Sequence, residues 1–532
     1  MNRRTFLLGT LSVPMVFLGV GRGTTTTVHA APAATNVVPK GKMVLAWHAG
    51  IASRWLDPQE HDGTASPDNF ITILYDALIK NQGQVLYDYL GLTEAYEFAP
   101  DATSATFRLR PGVKFHNGDP VTPADIQFTY EQYRGAKADV LKGMTERLEI
   151  IDERTVRLQF TKPFYDFPLI FGTANVCGAS WIVPAKYYQQ VGPDRFKQQP
   201  IGAGPYRLVN HEPGVRLDFE AFPDFHRPVH VKSLSVISVP EDSTRVAMLE
   251  RGEADIIYLV PGELIDKVRD IPGVVLAPVL SGSWWLQFPG FQDPKNPFHD
   301  QRVREAVSLA LDRRSINEAE TGGMGKPTGN WINNDVQYAL EWPEFEHNVE
   351  HAKQLMKDAG YPKGFEVDWL TPVPNYFSRG ERVIAQLGDI GIRAKLQAME
   401  RGVFLQRMQG GLKQWPGVQI IMNAARIGGS WANWYESMFT CGGFSAKDFF
   451  CVKDLDDKFS QYQQSIDLSE RKRLAEELQR AILENYYFVP VFRHAFVNAI
   501  GPRIAAAQWQ DVFQTITTGY AYPWEDIKLK GA

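Results

Sequence analysis

The segment 105–130 constrains what this chain can fold into more than any other stretch. Phe107 and Leu109 alternate with arginines, which is the pattern of a strand with one buried face. A Pro-Gly pair at 111–112 and an Asn-Gly pair at 117–118 are turn signals. A Thr-Pro pair then opens a helix that has proline at its first position. The segment therefore predicts a strand, a turn and the start of a helix.

The same segment also resembles a family signature. Residues 106–125 read TFRLRPGVKFHNGDPVTPAD, which closely resembles the TFxLRxGVKFHDGxPxTAxD signature of the extracellular solute-binding proteins of family 5. This family includes the dipeptide and oligopeptide receptors of ABC importers. Shorter matches follow in the expected order along most of the chain: WLDP at 55–58, YDAL at 75–78, PIGAGPY at 200–206, GEAD at 252–255, RVREA at 302–306 and AGYP at 359–362.

The resemblance implies the fold. Members of the family have an α/β, two-lobed periplasmic binding protein fold of class II, in the large form with an extra domain. Alternating strand and helix patterns along this chain agree with the α/β class. Hinge crossings are expected near 298–299 and near 491–493. The expected parts are a signal peptide at 1–30, lobe 1 at 31–83, 200–298 and 497–532, an extra domain of lobe 1 at 84–199, and lobe 2 at 299–496.

Local patterns predict several elements of lobe 2. Asp300 and Asn348 are expected to cap helices that carry one apolar stripe. Ser469 is expected to begin a late helix, and Val367 and Trp369 are expected to share one side of a strand.

The first thirty residues are predicted to be a secretion signal. Arg3 and Arg4 precede a short apolar run that ends at Val20, and small residues offer cleavage after Ala30 or Ala33. The paired arginines resemble a twin-arginine signal, and a general-secretion signal is the alternative. Because no cysteine stands at the cleavage site to carry a lipid, we expect a protein free in the periplasm of a Gram-negative cell.

Composition and charge limit the partners. With 532 residues, 44% hydrophobic and 22% charged, the chain is long enough for two or three cores. Loss of the signal removes three arginines and takes the formal charge from −5 to −8, which argues against nucleic acid or anionic lipid as a partner. Its apolar runs are too short to span a membrane. We therefore expect a monomer that is not embedded in a membrane.

The three cysteines predict one disulfide. Cys441 and Cys451 bracket a nine-residue loop that a disulfide would close in an oxidising compartment, adding about 3 kcal/mol on the loop-entropy estimate. Relatives often carry a cysteine pair near this position. Cys177 stands between apolar residues and is interpreted as a buried structural thiol.

Sequence patterns for catalysis and metal binding are weak. The chain has no Gly-x-Ser-x-Gly elbow, no phosphate-binding Gly-x-x-x-x-Gly-Lys loop and no Cys-x-x-Cys pair. His347 and His351 have the His-x-x-Glu-His spacing of a zinc protease, but Asn348 as N-cap would leave His347 outside the helix. His226 and His230 flank a proline, which disfavours a helical ligand pair. We therefore expect neither a cofactor nor catalysis.

Aromatic residues are the candidates for a solute-binding site, because they exclude water with few rotatable bonds. Two tryptophans precede the expected hinge, and a Gly-Gly-Ser-Trp group follows the apolar strand predicted at 418–422. Paired glycines let a backbone approach a ligand closely. Their placement along the chain is similar to that of cleft residues in the family. The predicted ligand-binding residues are Trp55, Trp284, Trp285, Gly429, Ser430, Trp431, Asn433 and Trp434.

One of these positions departs from the family pattern. Peptide receptors of this group commonly place an aspartate here to bind the terminal amine, whereas this chain has Asn433. An amide cannot neutralise an ammonium group, and burying an uncompensated cation costs several kcal/mol. Unless Asp57, Glu400 or Glu436 compensates, we expect a solute without a free α-ammonium group at that end.

The sequence therefore predicts the periplasmic solute-binding component of an ABC-type importer. It would capture a peptide or peptide-like small solute between the lobes and deliver it to a membrane permease. The alternatives left open are a non-peptide solute, such as an opine or an oligosaccharide, and a metal complex. A secreted hydrolase is disfavoured.

Overall fold

Strands and helices alternate along the protein. Its computed structural model describes residues 26–29, 37–61, 65–82, 85–172, 178–332, 336–374, 376–424, 431–443, 448–513 and 521–531. In chain order the strands are β1 (Thr26–His29), β2 (Lys40–Trp47), β3 (Ile79–Gln82), β4 (Val85–Leu90), β5 (Thr93–Phe98), β6 (Ser104–Leu109), β7 (Thr145–Ile150), β8 (Thr155–Phe160), β9 (Tyr206–Glu212), β10 (Arg216–Ala221), β11 (Val231–Ser238), β12 (Ile256–Ile257), β13 (Val275–Gln287), β14 (Lys326–Pro327), β15 (Phe365–Pro372), β16 (Ile392–Leu396), β17 (Gln419–Ala424) and β18 (Phe488–Ile500).

The helices lie between these strands, and a side-chain cap precedes several of them. In chain order they are α1 (Ala65–Leu74), α2 (Pro123–Gln132), α3 (Ala138–Met144), α4 (Ala185–Gln198), α5 (Asp242–Glu250), α6 (Ile265–Arg269), α7 (Gln301–Ala310), α8 (Arg313–Thr321), α9 (Val349–Asp358), α10 (Phe377–Gly388), α11 (Arg401–Gln409), α12 (Trp431–Phe439), α13 (Lys453–Gln464) and α14 (Leu468–Glu484).

The segment 105–130 folds as its sequence predicts. Phe107 and Leu109 are buried on β6, and the glycines of both turns have positive φ, which glycine adopts without strain. Thr122 caps α2 in a capping box with Asp125, and this box satisfies the free N–H groups of the first helical turn.

The strands form one large mixed sheet, one smaller antiparallel sheet and a two-stranded pair of β3 and β4. The large sheet has the order β16-β15-β17-β13-β18-β12-β2-β11-β10-β9, with β14 paired to β18. The smaller sheet has the order β1-β5-β6-β8-β7. Its edge strand β1 is the part of the predicted signal peptide that the structure describes, and it pairs antiparallel with β5. Cleavage after Ala30 or Ala33 would remove this strand.

The buried side chains divide into three bodies. Lobe 1 has its core on both faces of the sheet formed by β2 and β9–β12. The extra domain has a separate core over the smaller sheet. Lobe 2 has a core that includes residues from Trp284 to Phe492. The predicted two-lobed α/β fold with an extra domain is confirmed.

Two long strands, β13 and β18, connect the lobes. Leu280 and Ala495 pack with the lobe-1 core, whereas Trp284 and Phe492 belong to the core of lobe 2. The ladder between the two strands shifts register between Leu280 and Ser283, so the hinge lies within a continuous pair of strands. The crossing expected near 298–299 is therefore misplaced, because Phe298 is buried in lobe 2.

Two further expectations are corrected. The segment 84–199 predicted as the extra domain includes α4, but Tyr188 and Phe196 of this helix pack in the lobe-1 core. Trp369 does not share a face with Val367, because the pairing of β15 with β16 shifts register after Val367. Trp369 is consequently 38% exposed.

Candidate functional site

In both lobes, the carboxyl ends of the parallel strands lie on the side of the hinge. In lobe 1, β2 and β12 are parallel, and β12 runs antiparallel to β18 toward the hinge. In lobe 2, β15 and β17 are parallel, and β17 runs antiparallel to β13 until Ala424 pairs with Trp284. Ligands of open α/β sheets bind outside the carboxyl ends of the strands. The candidate site is therefore the cleft between these two carboxyl edges.

The lobe-2 wall of the cleft contains an arginine held between aromatic rings. Trp284 lies on β13, and Tyr376 and Arg379 lie at the start of α10. The guanidinium carbon of Arg379 is 4.3 Å from the ring centroid of Trp284 and 4.2 Å from that of Tyr376. The two ring centroids are 5.1 Å apart. This cation–π arrangement fixes the orientation of both rings.

Positive charge is in excess at this wall. Glu320 accepts hydrogen bonds from Arg379 at 3.0 Å and from Arg382 at 2.8 Å, so one carboxylate faces two guanidinium groups. Nη1 of Arg379 is buried and lacks a hydrogen-bond partner within the described part of the chain. Burial, and then the Arg379 charge, lower the pKa of His494 well below its ordinary value, which keeps this ring neutral. The wall therefore suits acceptor oxygens or a negative charge.

The lobe-1 wall is aromatic. Trp47 ends β2, and its ring centroid lies 5.3 Å from that of Phe70 and 5.2 Å from that of Tyr258. Trp55 stacks on Phe70 at 5.9 Å. The hydroxyl of Tyr258 donates to Oδ1 of Asn69 at 3.1 Å. The predicted residue Trp55 thus belongs to an aromatic group beside the carboxyl ends of β2 and β12.

The adjacent tryptophans of β13 lie in different surroundings. Trp284 is 3% exposed and contacts Tyr376 and Arg379 at the cleft. Trp285 is fully buried in lobe 2, where its indole N–H donates to Gln287 at 3.2 Å. Neighbouring residues of a strand point to opposite faces, so the two rings lie on opposite sides of β13, and Trp284 is the one beside Arg379.

The remaining predicted residues lie at or before the start of α12. Trp431 begins the helix and packs on Tyr462 with ring centroids 4.8 Å apart. Trp434 is half-buried, and its indole N–H has no hydrogen-bond acceptor among the described residues. Gly429, Ser430 and the side chain of Asn433 lie outside the described residues.

The three acids that were candidates to replace the family aspartate have other partners. Asp57 accepts from the hydroxyl of Tyr188 at 2.6 Å and from the backbone N–H of Gln59 at 2.9 Å. Glu436 pairs with Lys137 at 2.9 Å. Glu400 caps α11 and accepts from the backbone N–H of Val403 at 3.0 Å. Each carboxylate is thus committed to a structural contact.

Sequence reasoning missed Arg379, Tyr376, Glu320 and His494. One signal for Arg379 was present, because Arg379, Val383 and Leu387 recur at helical spacing on the buried face of α10. An arginine on an apolar helix face indicates a buried cation with a specific partner. The other residues meet only through the fold, and no local pattern marks them.

The structure contains the Cys441–Cys451 disulfide, which joins the end of α12 to the segment before α13. Cys177 lies outside the described residues. Within the described ranges, no group of three or more His, Cys, Asp or Glu side chains is arranged to hold a metal ion. His347 lies before the first residue of α9, outside the helix that contains His351. His226 contacts a carboxylate, since its Nε2 is 2.5 Å from Asp76.

Comparison with known proteins decides the family. Residues 89–431 match the sequence model of "Bacterial extracellular solute-binding proteins, family 5 Middle". The chain belongs to this family. A curated relative, the glutathione-binding protein GsiB of Escherichia coli K12, is 25% identical over 434 residues, which are 77% of this chain and 81% of GsiB.

Solved structures share the fold of this family 5 chain. The Helicobacter pylori periplasmic binding protein DppA in complex with the peptide STSA has a TM-score of 0.75 at 19% identity, over 92% of this chain and 98% of DppA. AgaA from A. tumefaciens R10 in complex with agropinic acid has a TM-score of 0.74 at 22% identity, over 92% of this chain and 99% of AgaA. In the described part of this family member, the helices are too short or too polar to cross a membrane.

Proposed function

We propose that the protein is the solute-binding component of an ABC-type importer. It captures a peptide or peptide-like small solute in the cleft and presents the closed form to a membrane permease. The observation that carries this proposal is the pair of carboxyl edges facing each other across a two-strand hinge. Solute closes the lobes because it binds the closed state better than the open state. No bond is made or broken in this cycle.

The place of action follows from the predicted signal at 1–30. Cleavage after Ala30 or Ala33 releases a monomer into the periplasm of a Gram-negative cell, where it meets the permease. The alternative export routes, twin-arginine and general secretion, deliver the same mature protein. Neither nucleic acid nor a resident cofactor takes part.

The solute contacts aromatic side chains from both lobes. Trp55 from lobe 1 and Trp284, Trp431 and Trp434 from lobe 2 supply the apolar area, and the Gly429–Asn433 loop supplies polar contacts. The stacking of Trp55 on Phe70 and of Arg379 on Trp284 supports pre-organised walls of this kind.

The solute lacks a free α-ammonium group at the Asn433 end. The structural partners of Asp57, Glu400 and Glu436 support this part of the proposal, because none of these carboxylates stands ready to take the place of the family aspartate. The two arginines on Glu320 support a solute with an acidic group. An opine-like acid is the second candidate, favoured by this charge excess and by the similarity to AgaA.

A thermal-shift screen tests the function. A solute that binds only the native state raises the melting temperature by mass action. We expect stabilisation by at least one compound in a panel of peptides, N-acetylated peptides, opines and oligosaccharides, without chemical conversion of that compound. Turnover of a panel compound would contradict a binding role. Treatment with a chelator is expected to leave the stabilisation unchanged.

The position of Asn433 is tested by one substitution. Wild type is expected to bind N-acetylated peptides better than the free peptides, and Asn433→Asp is expected to reverse this preference, because a carboxylate compensates the ammonium charge. Asn348→Asp, at the N-cap of α9, is the control for an added charge elsewhere in lobe 2. Strong binding of free peptides by wild type, abolished by acetylation, would show that the solute class is wrong while leaving the transport role intact.

A further inference from the structure

The extra domain contacts lobe 2 directly, outside the hinge strands. Nζ of Lys137 lies 2.9 Å from Oε2 of Glu436 on α12. Asp166 lies 3.6 Å from a guanidinium nitrogen of Arg471 on α14. The ring of Tyr165 covers the same guanidinium group, with its centroid 4.9 Å away.

The extra domain is fastened to lobe 1, so these contacts bridge the two moving bodies. Arg134 donates to Glu60 at 2.8 Å and to Asp57 at 3.3 Å. The backbone N–H of Ala136 donates to the carbonyl of His61 at 2.7 Å. Lys137 follows directly after these anchored residues. The position of Lys137 is therefore fixed relative to lobe 1, and its contact with Glu436 links lobe 1 to lobe 2.

On the other side, the contacts involve the helix that leaves the cleft. α12 follows β17, whose last residue pairs with Trp284, and Glu436 lies in its second turn. Trp431 at the start of α12 packs on Tyr462, and the carbonyl and hydroxyl of Tyr462 accept hydrogen bonds from Arg471 at 2.9 and 2.8 Å. Both ion pairs are thus connected to the segment that borders the predicted solute site.

We infer that these residues form an electrostatic clamp that holds the lobes closed in the absence of solute contacts. The clamp consists of Lys137, Tyr165 and Asp166 on the extra domain and Glu436 and Arg471 on lobe 2. Its two ion pairs have opposite polarity, so sliding one body past the other would bring like charges together. The clamp sets the balance between open and closed forms, and it acts whatever the solute is.

The inference predicts that closure depends on salt. The side chains of Glu436 and Asp166 are 35% and 18% exposed, so salt weakens both pairs as the Debye length falls from about 10 Å at 0.1 M to about 3 Å at 1 M, although less than it weakens a fully exposed pair. Loss of one such pair changes an equilibrium by about two- to fivefold. The test is small-angle X-ray scattering of protein refolded from guanidinium to remove bound small molecules. We expect the radius of gyration of wild type to increase between 50 mM and 1 M NaCl.

Substitutions of clamp residues test whether the clamp causes the change of radius with salt. Lys137→Gln and Asp166→Asn are expected to show a larger radius than wild type at 50 mM NaCl and a smaller change with salt. The double variant Lys137→Glu with Glu436→Lys exchanges the two charges and is expected to restore closure. Restored closure would exclude a folding defect as the cause of the larger radius in the single variants. Lys114→Gln is the matched control, because Lys114 forms an ion pair of the same 2.9 Å length with Asp224 without joining the lobes.

Two results would overturn the inference. One is a radius of gyration that is the same for wild type, Lys137→Gln and Asp166→Asn at low salt. The other is an increase in Lys114→Gln as large as that in Lys137→Gln. Because every sample is free of solute, neither result bears on which solute the cleft binds.

Discussion

At the scale of single residues, the buried charges of lobe 1 are arranged around Lys80. Its ammonium group lies 2.8 Å from Asp76 and 3.0 Å from Glu525, and all three side chains are buried. Burial favours a protonated Asp76, but Lys80 and then His226 lower the pKa of this carboxyl to about 2. Lys80 thus holds two carboxylates in the ionised form inside the core.

We expect Lys80→Met to lower the free energy of unfolding by about 3–5 kcal/mol, because it removes the cation that Asp76 and Glu525 share in the core and leaves Glu525 with Arg227, 2.6 Å away. Lys114→Met is the control, since the exposed pair of Lys114 with Asp224 is worth about 0–1 kcal/mol. Denaturant unfolding at pH 7 measures both. Equal effects of the two substitutions would show that the buried network is not stabilised by Lys80.

The ring of His494 predicts a pH dependence. Burial and the charge of Arg379 lower the pKa of this ring. Below about pH 6.5 the ring therefore binds a proton in the unfolded chain but stays neutral in the folded protein. Stability from this group is therefore present above pH 6.5 and is lost as the pH falls toward the depressed pKa. His494→Gln should reduce the slope of unfolding free energy against pH by up to about 1.4 kcal/mol per unit. His347→Gln, which removes an exposed ring, is the control substitution, and an equal change of slope in both variants would contradict the assignment to His494.

Residue-level prediction succeeded where the neighbours in sequence decide the outcome. Asp300 and Asn348 cap α7 and α9 as expected, because a cap contacts N–H groups two or three residues away. The environment of Arg379 depends on Trp284, Glu320 and His494, which lie in other segments. Such a site is set by tertiary contacts that a local pattern does not contain.

At the scale of elements, β15 shows how pairing overrides alternation. The pattern of hydrophobic residues predicted Val367 and Trp369 on one side, but the register shift toward β16 turns Trp369 outward. A bulge adds one residue to one strand and reverses the faces beyond it. The late helix shows a smaller correction, since Asp467 rather than Ser469 caps α14.

Two tryptophans of lobe 2, Trp369 and Trp285, test this bulge. Trp369→Gln is expected to change the free energy of unfolding by less than about 0.5 kcal/mol, because the side chain already faces solvent. Trp285→Ala is expected to cost about 3–5 kcal/mol, because it empties a fully buried volume. Denaturant titration followed by circular dichroism compares them. A large loss for Trp369→Gln would place its ring in the core and remove the bulge.

At the scale of the whole molecule, the position of the hinge determines which residues move with each lobe. The sequence predicted one crossing near 491–493 and the other near 298–299, where element-terminal residues were expected to absorb the rotation. The structure instead uses the middle of β13 and β18. Only the pairing of these two strands, 200 residues apart in sequence, defines that position.

Separate cores joined by two strands predict non-two-state unfolding. Lobe 2 shares the β13–β18 ladder with lobe 1 but has its own hydrophobic cluster. We expect the calorimetric enthalpy of the solute-free protein to exceed the van't Hoff enthalpy, because the bodies do not melt as one unit. A saturating solute should bring the two enthalpies closer. A ratio of one in the solute-free protein would contradict independent cores.

The contact between Lys80 and Glu525 also sets an order of events during synthesis. The two residues are 445 positions apart, and the second half of β18, which pairs with β12 of lobe 1, follows the residues of lobe 2 in the chain. The lobe-2 core ends at Phe492, in the first half of β18, so lobe 2 can finish folding while lobe 1 still lacks the end of that strand and the carboxylate of Glu525. For most of its time on the ribosome the nascent chain therefore holds an unfinished lobe 1, whose exposed strand edge needs protection until the last segment emerges.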